Sequence, residues 1–204
     1  TFAKTIASLM AQTAAPSRRR TDSRRRELLD EAAWLFRQKG YHATSVRDVC
    51  SAVGMLPGSL YSHFASKEEL LVAVYEVGIA EISQAVASAV ADADGPWERF
   101  EAACTAHLEA LLKSSDYPQV VVRVLPDDAP GAKDQLVALR DSYDAIFVPL
   151  MTELPLADPG ADRGFLLRLV IGALNSTTTW FRPMGDSPRT IARKFVATLR
   201  EAAE

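Results

Sequence analysis

Cysteine is scarce: Cys50 and Cys104 are the only two in 204 residues. They lie far apart and make no disulfide framework, which points to a reducing compartment such as the cytoplasm. Ten glycines and eleven prolines are too few for an all-β fold built on many tight turns. No run of 18 uncharged apolar residues occurs, so no membrane span is expected. Catalytic signatures are missing too. There is no Gly-x-Ser-x-Gly, no phosphate-binding glycine loop and no His-Glu-x-x-His. None of His42, His63 and His107 lies three residues after a Glu, as a di-metal bundle requires. These absences speak against an enzyme, and neither metal nor other cofactor is expected.

What is present is an ordinary globular composition, 48% hydrophobic and 24% charged, with a net charge of -3. A net negative charge alone argues against a polyanionic partner, but its distribution argues the other way. Residues 1–68 carry 11 Lys/Arg against 6 Asp/Glu, a balance of +5. Residues 69–204 carry 12 against 20, a balance of -8. A basic first third attached to an acidic remainder suits a chain whose N-terminal part meets nucleic acid.

The apolar pattern is helical throughout. Leu28, Leu29, Ala32, Ala33, Leu35 and Phe36 recur at three- and four-residue steps and predict a first helix over roughly 23–39. Residues 1–21, with Arg18-Arg19-Arg20, read as a flexible basic arm or as a leftover start region with no role. Thr44 or Ser45 opens a short second helix, closed by Gly54. A third runs from Leu56 to Phe64. Ser66 and Glu69 form a capping box for a fourth, to about Ala91. Helical spacing continues after Gly95-Pro96 and after Tyr117-Pro118. It resumes over Leu136–Leu150, Phe165–Trp180 and Ser187–Ala203. The fold class is all-α, about nine helices. It divides into a head over 22–68 and a larger C-terminal ligand-binding and dimerisation domain over 69–204.

Two short helices joined across Val53-Gly54-Met55-Leu56 make a helix-turn-helix. Gly54 supplies the left-handed backbone of the turn, Val49, Val53 and Leu60 face inward, and the outer side of the third helix is left free for a major groove. Leu60 and Phe64 pointing inward leave Tyr61 facing out.

Over about 50 residues the sequence resembles the TetR-type transcriptional regulators. The resemblance rests on Gly40-Tyr41-His42-Ala43-Thr44-Ser45-Val46-Arg47-Asp48-Val49, Ala52-Val53-Gly54-Met55, Gly58-Ser59-Leu60-Tyr61-Ser62-His63-Phe64 and Ser66-Lys67-Glu68-Glu69-Leu70-Leu71. Farther on, Gly172-Ala173-Leu174-Asn175 and Trp180-Phe181-Arg182-Pro183 with Gly185 are similar to the KstR-type branch, actinobacterial repressors of steroid and fatty-acid catabolism with CoA-thioester ligands. Ser176 stands where an aromatic residue often follows the Asn in those relatives.

The resemblance implies a homodimeric repressor that binds a pseudo-palindromic double-stranded operator and leaves it when an effector binds. Phosphate contacts would fall to Thr44, Arg47, Tyr61, His63 and Lys67. Base contacts would fall to Leu56, Pro57, Gly58, Ser59 and Ser62, which lack the Arg–guanine or Asn–adenine pairs of a legible code. In the C-terminal part Arg123, Tyr143, Phe147, Arg168, Asn175 and Trp180 are candidates for holding an acyl-CoA or related small molecule. The polar ones are equally open to pairing with Asp127, Asp144 or Asp162. Phe165, Leu169, Ala173 and Thr177 on one helix and Ile191, Phe195 and Leu199 on the next form stripes suited to a dimer, or to burial within one subunit. Two other readings stay open: a repressor tuned to an unrelated lipophilic drug or metabolite, and a helical binding protein without operator recognition.

Overall fold

The computed structural model describes residues 15–202, and no strand occurs among them. Nine helices follow in order: α1 (Ala15–Lys39), α2 (Val46–Ala52), α3 (Pro57–Leu60), α4 (Lys67–Ala91), α5 (Pro96–Glu109), α6 (Tyr117–Arg123), α7 (Lys133–Glu153), α8 (Arg163–Trp180) and α9 (Pro188–Ala202). A π-helical turn, Ala110–Ser114, extends α5, and two 3-10 turns, Pro126–Asp128 and Pro130–Ala132, link α6 to α7.

The first helix starts earlier than its apolar periodicity indicates. Ala15 to Thr21 are already helical, so only residues 1–14 of the expected arm remain, and these lie outside the described residues. Periodicity marks the buried stretch of a helix and is blind to a polar extension of it. The buried face is the expected one, with Leu28, Leu29, Ala32, Ala33, Leu35 and Phe36 all in the core. Gly40 ends the helix at φ +85°, its N–H bonded to the Phe36 carbonyl at 3.0 Å.

Local chemistry sets the head. Ser45 caps α2 in a capping box: its hydroxyl accepts from the Asp48 N–H at 3.2 Å, and the Asp48 carboxylate accepts from the Ser45 N–H at 2.7 Å. Gly54, at φ +66°, makes the turn, and the Met55 N–H returns to the Cys50 carbonyl at 2.8 Å. Pro57 opens α3, which is shorter than the expected Leu56–Phe64. Its last residues tighten into turns, with the His63 N–H on the Leu60 carbonyl at 2.8 Å, because the chain must reverse before α4. Val49, Cys50, Leu60 and Phe64 are buried together. Truncating Leu60 or Phe64 to Ala costs about 2–5 kcal/mol, a large share of what holds so small a unit.

Ser66 caps α4 by accepting from the Glu69 N–H at 3.1 Å, while the Glu69 carboxylate reaches back to the Ala65 N–H. α4 is the axis of the molecule and packs on α1, α5, α6 and α7. It is also the one helix among the described residues that is long and apolar enough to cross a bilayer, with a mean hydropathy of 1.5 over its richest window. Half of that window is buried inside the fold, as in a core helix, with Leu70, Leu71, Val74, Tyr75, Ile82 and Val86 closed off from solvent.

Candidate DNA-binding face and effector cavity

The outer side of the helix-turn-helix carries most of the residues expected to meet DNA. Tyr61 is 58% exposed and Leu56 78%, while Leu60 and Phe64 are buried beneath them. Arg47, Pro57, Gly58 and Ser62 are exposed; Ser59 and His63 are half-buried. The Ser62 hydroxyl donates to the Ser59 carbonyl at 2.7 Å, so its lone pairs remain free. Arg25 lies above the Phe64 ring at 4.9 Å and adds a cation to the same head.

One expected contact needs correction and a second is partly committed elsewhere. Thr44 is only 1% exposed, and its hydroxyl donates inward to the Gly40 carbonyl at 2.9 Å. It ties α1 to α2 and has no proton to offer a phosphate. Lys67 is half-committed: its ammonium donates to the Tyr41 carbonyl at 2.6 Å and sits 4.0 Å above the Tyr41 ring. Partial burial pulls its pKa below the ordinary lysine value. Lys67 therefore fixes the α1–α2 turn onto the start of α4, with two N–H bonds left over for another acceptor.

Behind the head, α4, α5, α6, α7 and α8 line a partly open cavity of about 540 Å³. Ile79, Ile82, Val121, Leu167 and Ile171 supply its apolar wall. Of the candidate ligand residues, Tyr143, Arg168 and Asn175 line it. Phe147 stands behind, edge-on to Tyr143 at 5.6 Å between ring centres. Arg123 does not reach the cavity. It is exposed on the far side of α6, with Nη1 at 3.4 Å from the Arg37 carbonyl. Trp180 is also elsewhere, on the outer end of α8 against Phe195 of α9 at 6.4 Å. The charged lining holds Arg140, Asp141 and Asp144 besides Arg168. Burial raises the Asp144 carboxyl, with Arg140 opposing the shift. Arg168 has no ion-pair partner among the described residues, neither Asp144 nor Asp162 closing on it.

Sequence reasoning missed His107. It is buried, with Nδ1 2.6 Å from the Tyr143 hydroxyl and Nε2 3.1 Å from Asn175 Oδ1. Burial drives its pKa down to about 4, with the Asn175 hydrogen bond opposing. The available signal was its place in the stripe Phe100, Cys104, His107, Leu108, Leu111, where it is the one polar member.

The second missed feature is how α6 joins head to cavity. Val121 and Val122 line the cavity. At the other end of the same helix, Asp116 accepts from Arg37 Nη1 and Gln119 Oε1 from Arg37 Nε at 3.0 Å. The Tyr117 hydroxyl donates to Asp30 at 2.6 Å. Just beyond α6, Asp128 sits 3.1 Å from His42 Nε2. α4 grips α6 from the side: the Tyr75 hydroxyl donates to the Val121 carbonyl at 3.2 Å and to that of Val124.

Two family profiles cover most of the chain. The one described as bacterial regulatory proteins, tetR family, matches residues 28–74, and the tetracyclin repressor-like C-terminal domain matches 93–203. The chain belongs to the TetR family of transcriptional regulators. Among curated relatives, the HTH-type transcriptional repressor KstR2 of Mycobacterium tuberculosis (strain ATCC 25618 / H37Rv) is 38% identical over 101 residues, and this chain spans half that relative's length. KstR2 of Mycolicibacterium smegmatis is 28% identical over 185 residues, 86% of this chain and 88% of the relative. Among solved structures, that of superantigen PfiT is 32% identical, with a TM-score of 0.72 over 85% of this chain and 94% of that one. The structure of AibR in complex with isovaleryl coenzyme A and operator DNA shares the fold at 24% identity. Its TM-score is 0.75, over 87% of this chain and 98% of that one.

In this TetR-family chain the last two helices expose an apolar strip, though a narrower one than the sequence stripes suggest. Phe165 and Leu169 are 59% and 57% exposed on α8, Trp180 is exposed at its end, and Ala173 and Phe195 are half-buried. Thr177, Ile191 and Leu199 are corrected to the interior of this chain. Thr177 is fully buried, and Ile191 and Leu199 close the α9 face that packs on α5. An amphipathic helix shows one stripe in sequence whether a partner subunit or its own neighbour covers it.

Proposed function

We propose that this chain is a homodimeric repressor, working in the cytoplasm, that leaves its operator when an acyl effector, a CoA thioester of lipid or steroid breakdown, enters the α4–α8 cavity. The observation that carries the reading is α6: one helix lines the cavity and also holds α1 of the head through Asp116, Tyr117 and Gln119. A ligand that spreads the α4–α6 seam moves the head in the same step. The cavity volume falls within the usual range for small-molecule sites, and its apolar wall suits an acyl chain. Arg168, unpaired among the described residues, is the group for a CoA phosphate. The KstR2 relatives are repressors by name, and AibR was solved with an acyl-CoA and operator DNA together.

The mechanism is a shift between two states. Without effector, two heads sit at the separation of successive major-groove half-sites, roughly 34–36 Å. The effector binds better to a state in which α4 and α6 have parted, and that difference in affinity alone displaces the equilibrium. A mobility-shift assay on DNA flanking the gene tests this. Wild type should bind a specific site and be released by isovaleryl-CoA or longer acyl-CoAs. Tyr61→Ala should weaken binding about tenfold, the loss expected for one good contact. Arg47→Ala should weaken all sites alike and lower the slope of log K against log salt by about 1. No specific site, with Tyr61→Ala indistinguishable from wild type, would end the proposal.

The dimer has its own test. A charge in the exposed α8 strip, Leu169→Glu, should give a monomer by sedimentation at micromolar concentration while far-UV circular dichroism is unchanged. Operator affinity should fall with it, because a single head engages half a site. An unaltered dimer would remove α8 from the interface.

A further inference from the structure

The polar end of the cavity is a chain of hydrogen bonds whose direction follows from its buried terminus. Tyr143 is only 5% exposed, and His107 Nδ1, at 2.6 Å, is the only hydrogen-bond partner of its hydroxyl among the described residues. A buried phenol proton without an acceptor is costly, so the O–H donates and Nδ1 accepts. The imidazole is neutral at this depth, which leaves its single hydrogen on Nε2. Nε2 lies 3.1 Å from Asn175 Oδ1, and a carbonyl oxygen can only accept. Asn175 is thereby oriented. Its oxygen is occupied by His107, and its NH2, with two donors and no protein partner among the described residues, is left to the cavity that Asn175 lines.

We infer that Asn175 is the specificity-determining residue of the effector site: its amide N–H groups receive the carbonyl oxygen of an acyl ligand, so the site takes thioesters, esters or ketones over their reduced counterparts. Tyr143 and His107 are positioning residues, holding the amide in the donating sense. An amide turned over would offer an acceptor and favour alcohols. The apolar residues around it cannot make this distinction, since an acyl chain and its reduced counterpart present them the same methylenes. The inference rests on the cavity being the effector site, as proposed above, but not on the effector carrying CoA.

Two probe pairs separate these ideas. Octanoyl-CoA and S-octyl-CoA differ only at the carbonyl, as do methyl octanoate and methyl octyl ether. Titration calorimetry on the full chain should show the carbonyl compound binding about tenfold tighter, the order of one well-made hydrogen bond. Asn175→Leu should erase that preference while the apolar contribution persists. Preference in the ester pair alone would sink the CoA reading and leave Asn175 in its role. Equal affinity within both pairs, or no binding of any probe at saturation, would overturn the inference. A ligand-free measurement stands beside it in case Asn175→Leu fails to fold. Nitrogen-15 spectra of the wild-type imidazole should show His107 protonated at Nε2 and bare at Nδ1. The opposite tautomer would reverse the amide and overturn the assignment.

Discussion

A methyl group at Gly78 should release the protein from its operator with no effector present. Gly78 lies on α4 where that helix crosses the start of α6. A Cβ placed there would stand 2.7 Å from the Tyr117 carbonyl oxygen and 2.9 Å from Val121 Cγ2. The nearer atom is backbone and cannot swing aside, so an ordinary contact requires the two helices to part by at least 0.7 Å. Interiors are close-packed and carry such strain to the next element instead of absorbing it. The next element is the head, since Tyr117 and Asp116 are bonded to Asp30 and Arg37 on α1. Gly78→Ala therefore opens the seam that the effector is proposed to open. Operator affinity should fall on the order of tenfold to a hundredfold, the usual span of a coupling between sites. Addition of acyl-CoA should then produce little further loss. Alanine is the better helix former by about 1 kcal/mol, so α4 itself should remain intact by circular dichroism. A Gly78→Ala protein that holds its operator like wild type, and is released by effector as before, would show that the α4–α6 seam does not transmit the signal.

How much of this was legible in the sequence depends on range. Ser45, Gly54, Ser66 and Glu69 act within four residues of themselves, and their roles in capping and turning are those their spacing predicts. The inward and outward sides of the head could be read as well, because Leu60, Tyr61 and Phe64 settle it by helical step alone. Contacts between distant residues were not legible. Arg37 meets Asp116 and Gln119 some eighty positions along the chain, and nothing in either segment names the other. Thr44 shows the same limit from the opposite side: its type and place suit a phosphate contact, but the fold turns its hydroxyl onto Gly40. Trp180 and Arg123 were drawn toward the ligand by their chemistry, and only the packing of α6, α8 and α9 places them on outer surfaces. The buried polar group that matters most, His107, was visible as an odd residue in an apolar stripe, but its partners on α7 and α8 were not.

That same histidine should make the protein lose stability on acidification. His107 is held near a pKa of about 4 by burial, against an ordinary value of 6.5 in the unfolded chain. Between those values the unfolded state binds the proton and the folded state does not. Unfolding therefore takes up protons, and stability rises with pH across the window. The contribution is complete above about pH 6.5 and is lost progressively as pH falls toward 4. At about 1.4 kcal/mol per pKa unit, the gap is worth roughly 3 kcal/mol, a substantial part of a typical folding free energy. Other groups titrate nearby. Burial raises the Asp144 carboxyl, which acts in the opposite sense at the acidic end because its folded form binds the proton first. The comparison must be made with a variant that removes only the imidazole. His107→Gln can still accept from Tyr143 and donate to Asn175, and it does not titrate. Urea unfolding at pH 7 and pH 4.5 should show wild type losing about 2–3 kcal/mol more than His107→Gln between the two conditions, with unchanged m-values. Parallel losses in the two proteins would mean that His107 is solvated or already charged in the folded state. A charged imidazole would also carry a hydrogen on Nδ1, turn the Tyr143 hydroxyl away and unsettle the amide of Asn175. Effector affinity should therefore hold through the window in which stability falls, and decline only as pH nears the folded value of about 4, where the buried imidazole itself takes a proton.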